Sequence, residues 1–89
     1  MSDVWLNASG HRYEAIVDGH LSVCEYEDTP GGRVFTHTLV PPELRGRGIA
    51  ELLVRAALAD AREAGLKVIP ACSYVARFIE RQKEFQDLV

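Results

Sequence analysis

Residues 41–50 combine two arginines and two glycines, in the order Arg45-Gly46-Arg47-Gly48, just before a helical pattern of apolar residues. The first backbone N–H groups of a helix lack partners and are usually capped by Ser, Thr, Asp or Asn. Residues 44–48 include none of these, and glycines let a ligand approach the backbone closely. We therefore expect this helix start to bind an anion, with two guanidinium groups adding positive charge.

Other phosphate-binding motifs fit this segment poorly. It has no Lys-Ser or Lys-Thr pair of the kind that ends a P-loop, and its spacing is not the three-glycine dinucleotide fingerprint. The alternative is purely structural, with the glycines forming a tight connection and the arginines in solvent.

Cys72 is the candidate nucleophile. It follows a short apolar strand over residues 66–71 and precedes a helix predicted over residues 73–82. Open α/β sheets bind ligands at the carboxyl ends of their strands, and a thiol at a helix N-terminus is biased toward the nucleophilic thiolate. The alternative is that Cys72, like many free cysteines, only packs in the core.

Residues of three further types are candidates for the same site. His37, on a strand predicted over residues 34–40, is a candidate base for Cys72 or for an incoming amine; the alternative is a hydrogen-bonded structural histidine. Tyr74 is a candidate proton donor or a core residue. Arg77 and Arg81 lie one helical turn apart and are candidates for contacting a cofactor phosphate. The alternative is that both remain in solvent.

No metal site is predicted, because His11 and His20 have no Cys, Asp or Glu at metal-ligand spacing. Cys24 is expected in the core. Two cysteines without a secretory leader do not indicate a disulfide framework, so reduced thiols and a cytoplasmic location are expected. No apolar run approaches the length of a membrane span.

Charge argues against nucleic acid as a partner, since the 89 residues carry a net charge of −3. The thirteen acids divide into seven before residue 45 and six after it, whereas the ten bases divide into two and eight. An anionic ligand therefore belongs with the second half of the chain.

The first half of the chain predicts four strands in meander order, over residues 4–7, 12–17, 20–27 and 34–40. Asp18-Gly19 is the two-residue sequence typical of a type I′ hairpin, and Pro41-Pro42 ends the fourth strand.

The second half predicts a helix over residues 47–64 that ends at Gly65. Its apolar face is formed by Ile49, Leu52, Leu53, Ala56, Ala57, Ala61 and Ala64. With the strand over residues 66–71 it makes a parallel βαβ unit, and residues 83–89 are expected to fray or to add a short strand. The prediction is one α/β domain over residues 1–89, with a mainly antiparallel sheet of about five strands.

The segment Val40-Pro41-Pro42-Glu43-Leu44-Arg45-Gly46-Arg47-Gly48-Ile49-Ala50 resembles motif A of the GNAT superfamily of N-acetyltransferases. That motif runs Gln or Arg, two residues, Gly, one residue, then Gly or Ala. Arg45, Gly48 and Ala50 match it, after a predicted strand and at the start of an amphipathic helix.

The resemblance covers nearly the whole chain. Within the superfamily, the chain is similar to a minimal branch called YjdJ-type or GNAT-like. The resemblance continues through His37-Thr38, Lys67-Val68-Ile69-Pro70, Cys72, Tyr74-Val75 and Leu88-Val89. It implies that the pantetheine arm of the cosubstrate lies between the parallel strands and that the acceptor site is open. It implies backbone contacts to the cosubstrate at Val40, Arg45, Gly46, Arg47, Gly48, Ile49 and Ala50.

Two positions depart from the branch, since Leu39 replaces a frequent Glu and Gln82-Lys83 replaces a frequent His-Pro. A carboxylate at position 39 therefore has no role here. The resemblance implies acetyl transfer from acetyl-CoA to a small-molecule or peptide amine, directly or through acetyl-Cys72, with His37 as candidate base. The alternative is a CoA-binding or interaction module without catalysis, and a basic RNA-binding fragment is disfavoured by the net acidity.

Overall fold

A mixed sheet of five strands, ordered as they occur along the chain, forms the centre of the protein. The structure is a computed structural model that describes residues 4–89. The strands are β1 Val4–Asn7, β2 Arg12–Val17, β3 His20–Thr29, β4 Gly32–Leu39 and β5 Val68–Pro70. The helices are α1 Ile49–Glu63 and α2 Ser73–Arg81, with 3-10 segments at Pro42–Leu44 and Lys83–Leu88. The predicted meander and the βαβ unit are both confirmed.

The hairpin between β2 and β3 turns at Asp18 and Gly19, whose φ angles are +50° and +77°. Positive φ at both central residues defines the type I′ turn, which matches the twist of the flanking strands. The turn predicted from the Asp-Gly pair is therefore present.

A bulge interrupts the pairing of β3 with β4. The pairs around it are Cys24–Thr38, Glu25–His37 and Tyr26–Phe35. Thr36 is therefore the extra residue on β4. Because it shifts the alternation of side chains, Phe35 and Thr38 point to the same face of the sheet although they are three residues apart.

The parallel pairing of β4 with β5 is short and ends at Phe35. Its pairs are Arg33–Val68, Val34–Ile69 and Phe35–Pro70, and the Cys72 N–H then donates to the Phe35 carbonyl at 2.8 Å. β4 continues to Leu39, whereas the chain after Cys72 turns into α2. The edge of β4 beyond Phe35 therefore runs on without its parallel neighbour.

Both helices pack on one face of the sheet, and the core lies between them and β2, β3 and β4. The buried face of α1 differs partly from the predicted one. It consists of Ile49, Leu53, Val54, Ala57, Leu58 and Ala61. Val54 and Leu58 are buried, whereas the expected Leu52, Ala56 and Ala64 are not. The apolar residues of this helix extend over two neighbouring faces, and only one of these faces packs against the sheet.

The prediction that residues 83–89 fray or form a strand is wrong. They form the second 3-10 segment, in which Phe85 and Leu88 are buried. The Phe85 ring lies 5.9 Å from that of Phe78 in α2. Arg62 on α1 donates to Asp87 at 2.7 Å, so the segment is held by packing and by an ion pair.

A buried arginine anchors the start of β4. Arg33 donates to both carboxylate oxygens of Asp28, at 2.7 and 3.0 Å, and to the Tyr13 hydroxyl at 2.9 Å. Its guanidinium lies 4.0 Å above the centre of the Tyr26 ring, and Tyr13 donates to Asp60 on α1. This network connects β2, β3, β4 and α1 at the end of the sheet opposite the α1 start.

The helices within residues 4–89 are too short or too polar to cross a bilayer.

The closing segment gives a stability prediction. We expect Phe85→Ala to lower the free energy of unfolding by about 3 kcal/mol, because it removes a buried ring that contacts Phe78. The measurement is chemical denaturation. Lys83→Ala, an exposed change in the same segment, is the matched control and should stay within about 0.5 kcal/mol of the parent. Equal stability of the two variants would contradict the burial of this segment.

Candidate active site

The turn before α1 presents an uncapped helix start. Gly48 is the N-cap residue with φ +77°, and no side chain caps the helix. Gly46 is also left-handed, with φ +83°. Such φ values strain any residue with a Cβ, so the conformation of the turn depends on both glycines. The helix start carries unpaired N–H groups and the positive end of the helix dipole.

A groove runs along the end of β4, between this turn and α2. It consists of two adjoining cavities of about 480 and 240 Å³ that share Val40, Arg45, Ala50 and Tyr74. The larger is also lined by Leu21, Thr38, Leu39, Pro41 and Pro42, and the smaller by Leu44, Gly46, Gly48, Ile49 and Glu51. We call the two together the β4 groove. Six of the seven predicted cosubstrate-binding residues line it, and Arg47 does not.

The two arginines of the turn have different surroundings. The Nε of Arg45 donates to the Val40 carbonyl at 3.2 Å, and within residues 4–89 its terminal nitrogens have no protein partner. The Nη1 of Arg47 instead donates to Asp18 at 2.6 Å, in the β2–β3 hairpin. That hydrogen bond, together with the positive charge of Arg47, lowers the pKa of the Asp18 carboxyl. Arg45 is therefore the arginine available to an anion in the groove.

Cys72 lies at the N-cap of α2 and is half-buried. Its Sγ is 3.6 Å from the Thr38 Oγ1, which also donates to the Cys24 Sγ at 3.8 Å. Cys72 itself is not among the residues that line the groove, whereas its contact Thr38 and the nearby Tyr74 are. The thiol therefore lies behind Thr38, next to the groove.

Cys24 is fully buried, as predicted, and burial raises the pKa of its thiol to about 12. It consequently keeps its proton near neutral pH. The Thr38 hydroxyl donates to the Cys24 sulfur and can rotate to donate to a Cys72 thiolate instead, because both sulfurs lie within its reach. The two cysteines lie on opposite sides of β4. At roughly 4.8 Å per strand spacing their Cα atoms are about 10 Å apart, beyond the reach of a disulfide. Both thiols are free.

His37 and Cys72 are not brought together. His37 follows the bulge, pairs with Glu25 and is exposed on the face of the sheet opposite Thr38. Its imidazole therefore faces away from the thiol, toward the side of the sheet that lacks helices. This position suits a base for an incoming amine better than a base for Cys72.

Tyr74 is half-buried and lines both cavities, so it is part of the groove as well as of the core packing. Burial, and then the negative charge of Glu51, raises the pKa of its hydroxyl, while the positive charge of Arg81 opposes this. The hydroxyl therefore stays protonated near neutral pH. Arg77 and Arg81 are exposed, as the solvated alternative predicted.

Sequence reasoning missed Thr38, Leu21 and Leu39 as residues of the site. Thr38 contacts the thiol only because the Thr36 bulge changes the face to which it points, and no local pattern indicated that bulge. Leu21 and Leu39 come from neighbouring strands and meet only in the sheet. Within residues 4–89, no three metal-binding side chains come together.

The fold and the site together define a small α/β domain with an uncapped helix start beside a groove and a thiol. Residues 12–88 match the family of GCN5-related N-acetyltransferases, and the chain belongs to this family. It is also similar to the NMR solution structure of a GCN5-like presumed N-acetyltransferase from Staphylococcus aureus. The TM-score is 0.75 at 27% identity, over 99% of this chain and 89% of that one. The narrower YjdJ-type assignment stays a prediction.

The contact of Thr38 with both sulfurs gives a reactivity prediction. We expect Thr38→Val to slow alkylation of Cys72 by iodoacetamide at pH 7 roughly fivefold, because the thiolate loses a hydrogen bond worth about 1 kcal/mol. Labelling of each cysteine is measured by peptide mass spectrometry. Cys24 should stay unlabelled in the folded protein, because it is buried and its pKa is raised.

The matched control is Thr36→Val, two residues away on the same strand, whose hydroxyl donates to the Glu25 carbonyl and not to sulfur. Its Cys72 should react at the parent rate. Equal slowing in both variants would show that the strand, and not the Thr38 hydroxyl, controls the reactivity of the thiol.

Proposed function

We propose that the protein uses acetyl-CoA to acetylate an amine, and that the β4 groove binds the cosubstrate. One observation carries this proposal. A continuous groove connects an uncapped, glycine-containing helix start to Thr38, which contacts the Cys72 sulfur, and to Tyr74, two residues after Cys72 in the sequence. Family membership supports acetyl transfer in general. With both thiols free, we place the reaction in the reducing cytoplasm.

The residues present fit the chemistry of the cosubstrate. Its pyrophosphate would be held by the backbone N–H groups from Gly46 to Ala50 and by the terminal nitrogens of Arg45. Its pantetheine arm would lie along Val40 in the larger cavity. Arg47 would contribute only by exchanging its ion pair with Asp18 for a phosphate.

In the covalent route, the Cys72 thiolate attacks the thioester carbonyl. A carbon–sulfur bond forms to Cys72, the bond to the CoA sulfur breaks, and the protonated hydroxyl of Tyr74, which lines the groove, donates its proton to the leaving thiolate. His37 removes one proton from the ammonium group, and the resulting amine attacks acetyl-Cys72. The bond from the carbonyl carbon to Cys72 breaks, and the second proton lost by the nitrogen goes to the Cys72 sulfur. Exchange with solvent then returns Cys72 to the thiolate and Tyr74 to the protonated hydroxyl. In the direct route the amine attacks acetyl-CoA itself, and only the roles of Tyr74 and His37 remain.

A second candidate function is a CoA-binding or interaction module without catalysis. Its support is geometric, since His37 faces away from Cys72 and Cys72 does not itself line the groove. The two functions share the cosubstrate site and differ in whether an acetyl group leaves it.

Cosubstrate binding is tested with an Arg45→Gln variant. We expect it to weaken CoA affinity about tenfold in calorimetric titration, because it removes a charged hydrogen-bond donor from the groove. Arg77→Gln, which changes an exposed arginine on α2 outside the groove, is the control and should bind like the parent. Absence of CoA binding by the parent protein at millimolar concentration would contradict the proposal.

The covalent route is tested by mass spectrometry after incubation with acetyl-CoA and no amine. We expect one acetyl group on Cys72, its absence in Cys72→Ala, and its retention in Cys24→Ala, because only the half-buried thiol can reach the groove. Full turnover by Cys72→Ala would remove the covalent route and leave direct transfer. If CoA binds but neither Cys72 nor any amine is acetylated, the non-catalytic module is correct.

A further inference from the structure

The face of the sheet opposite the helices carries an apolar surface. In the register, Ile16 pairs with Leu21 and Val23 pairs with Leu39, so all four side chains point to this face. Within residues 4–89 no helix covers them. Ile16, Leu21 and Leu39 are 52%, 43% and 55% exposed, around the buried Val23. We call these four residues the open-face patch.

The open-face patch is continuous with the β4 groove. Leu21 and Leu39 belong to the patch and also line the larger cavity, together with Thr38. Thr38 in turn contacts the Cys72 sulfur. A molecule lying on the patch would therefore have one end at the edge of β4 where the thiol lies.

The border of the patch near the thiol is polar and negatively charged. Glu25 follows Val23 on β3 by two residues, on the same face, and pairs with His37. Its carboxylate forms no ion pair within residues 4–89. The nearby carboxylate of Glu14 is different, because Trp5, Asn7 and Arg12 already donate to it. Glu27, also on this face, forms no ion pair within residues 4–89 either, but it pairs with Val34, farther from the end of β4. Glu25 is thus the nearer carboxylate available to an ammonium group, and His37 beside it is available as a base.

We infer that the acceptor is a primary amine carried on an apolar body, which lies on the open-face patch with its amino group between Glu25 and the end of β4. This inference rests on the proposed function. The apolar area favours an alkyl or aromatic body, the carboxylate attracts the cationic end, and His37 removes the proton before attack. A highly charged polyamine would leave the leucines without apolar contact, so it is disfavoured.

The test compares n-octylamine, n-butylamine and spermidine as acceptors at saturating acetyl-CoA, with acetylated product measured by mass spectrometry. We expect kcat/KM for octylamine to exceed that for butylamine roughly tenfold, from the methylenes buried on the patch, and spermidine to be the poorest. Leu39→Ser should reduce the octylamine-to-butylamine ratio toward one. Ile69→Ser, at an exposed apolar residue of β5 outside the patch, should leave that ratio unchanged.

A second measurement is independent of turnover. The methyl signals of Leu21 and Leu39 should shift when octylamine is added to the CoA-loaded protein, and those of Ile69 should not. If transfer occurs but spermidine is preferred, or Leu39→Ser keeps the ratio, the acceptor inference fails and the proposed function stands. If the leucine signals shift but no amine is acetylated, transfer fails and the docking surface stands. Shifts that follow protein concentration and not amine would assign the patch to a second copy of the chain and overturn the inference.

Discussion

The hydrogen bond from the Cys72 N–H to the Phe35 carbonyl is the point on which the site depends. Within residues 4–89 it is the last backbone hydrogen bond between β4 and the chain that follows β5, and beyond it the two backbones separate. Separation leaves the edge of β4 open over its last residues, which become a wall of the groove. It also begins α2 at Cys72, so the same bond fixes the thiol beside the gap and aims a helix N-terminus at it.

The other end of the sheet is held by a hydrogen-bonded network. Arg33, at the start of β4, connects Asp28 and Tyr13, and through Tyr13 reaches Asp60 on α1. A buried guanidinium with hydrogen bonds to a carboxylate and a hydroxyl, and a ring beneath it, tolerates little displacement. The closing 3-10 segment adds apolar contacts that so short a chain would otherwise lack, since it buries Phe85 and Leu88 against the helices.

Features set by a few adjacent residues could be predicted from the sequence. Asp18-Gly19 specified its turn, and the glycines and arginines of residues 45–48 specified an uncapped helix start, because backbone conformation and missing caps are local properties. The Thr36 bulge could not be predicted, because it is a mismatch between two strands and leaves no pattern in either. The same holds for the buried Phe85, whose partner Phe78 becomes a neighbour only after the chain turns back.

The bulge has opposite effects on adjacent residues, and this explains why the candidate catalytic groups are on two faces. With Thr36 inserted, Thr38 points toward the helices and the thiol, while His37 points toward Glu25 on the open face. A nucleophile and a base on opposite sides of one strand cannot exchange a proton directly, but they can act on opposite sides of a carbonyl group held at its edge. In the proposed reaction, the strand would separate the acyl donor in the groove from the amine on the open face, and the two would meet only at the end of β4, where its edge is unpaired.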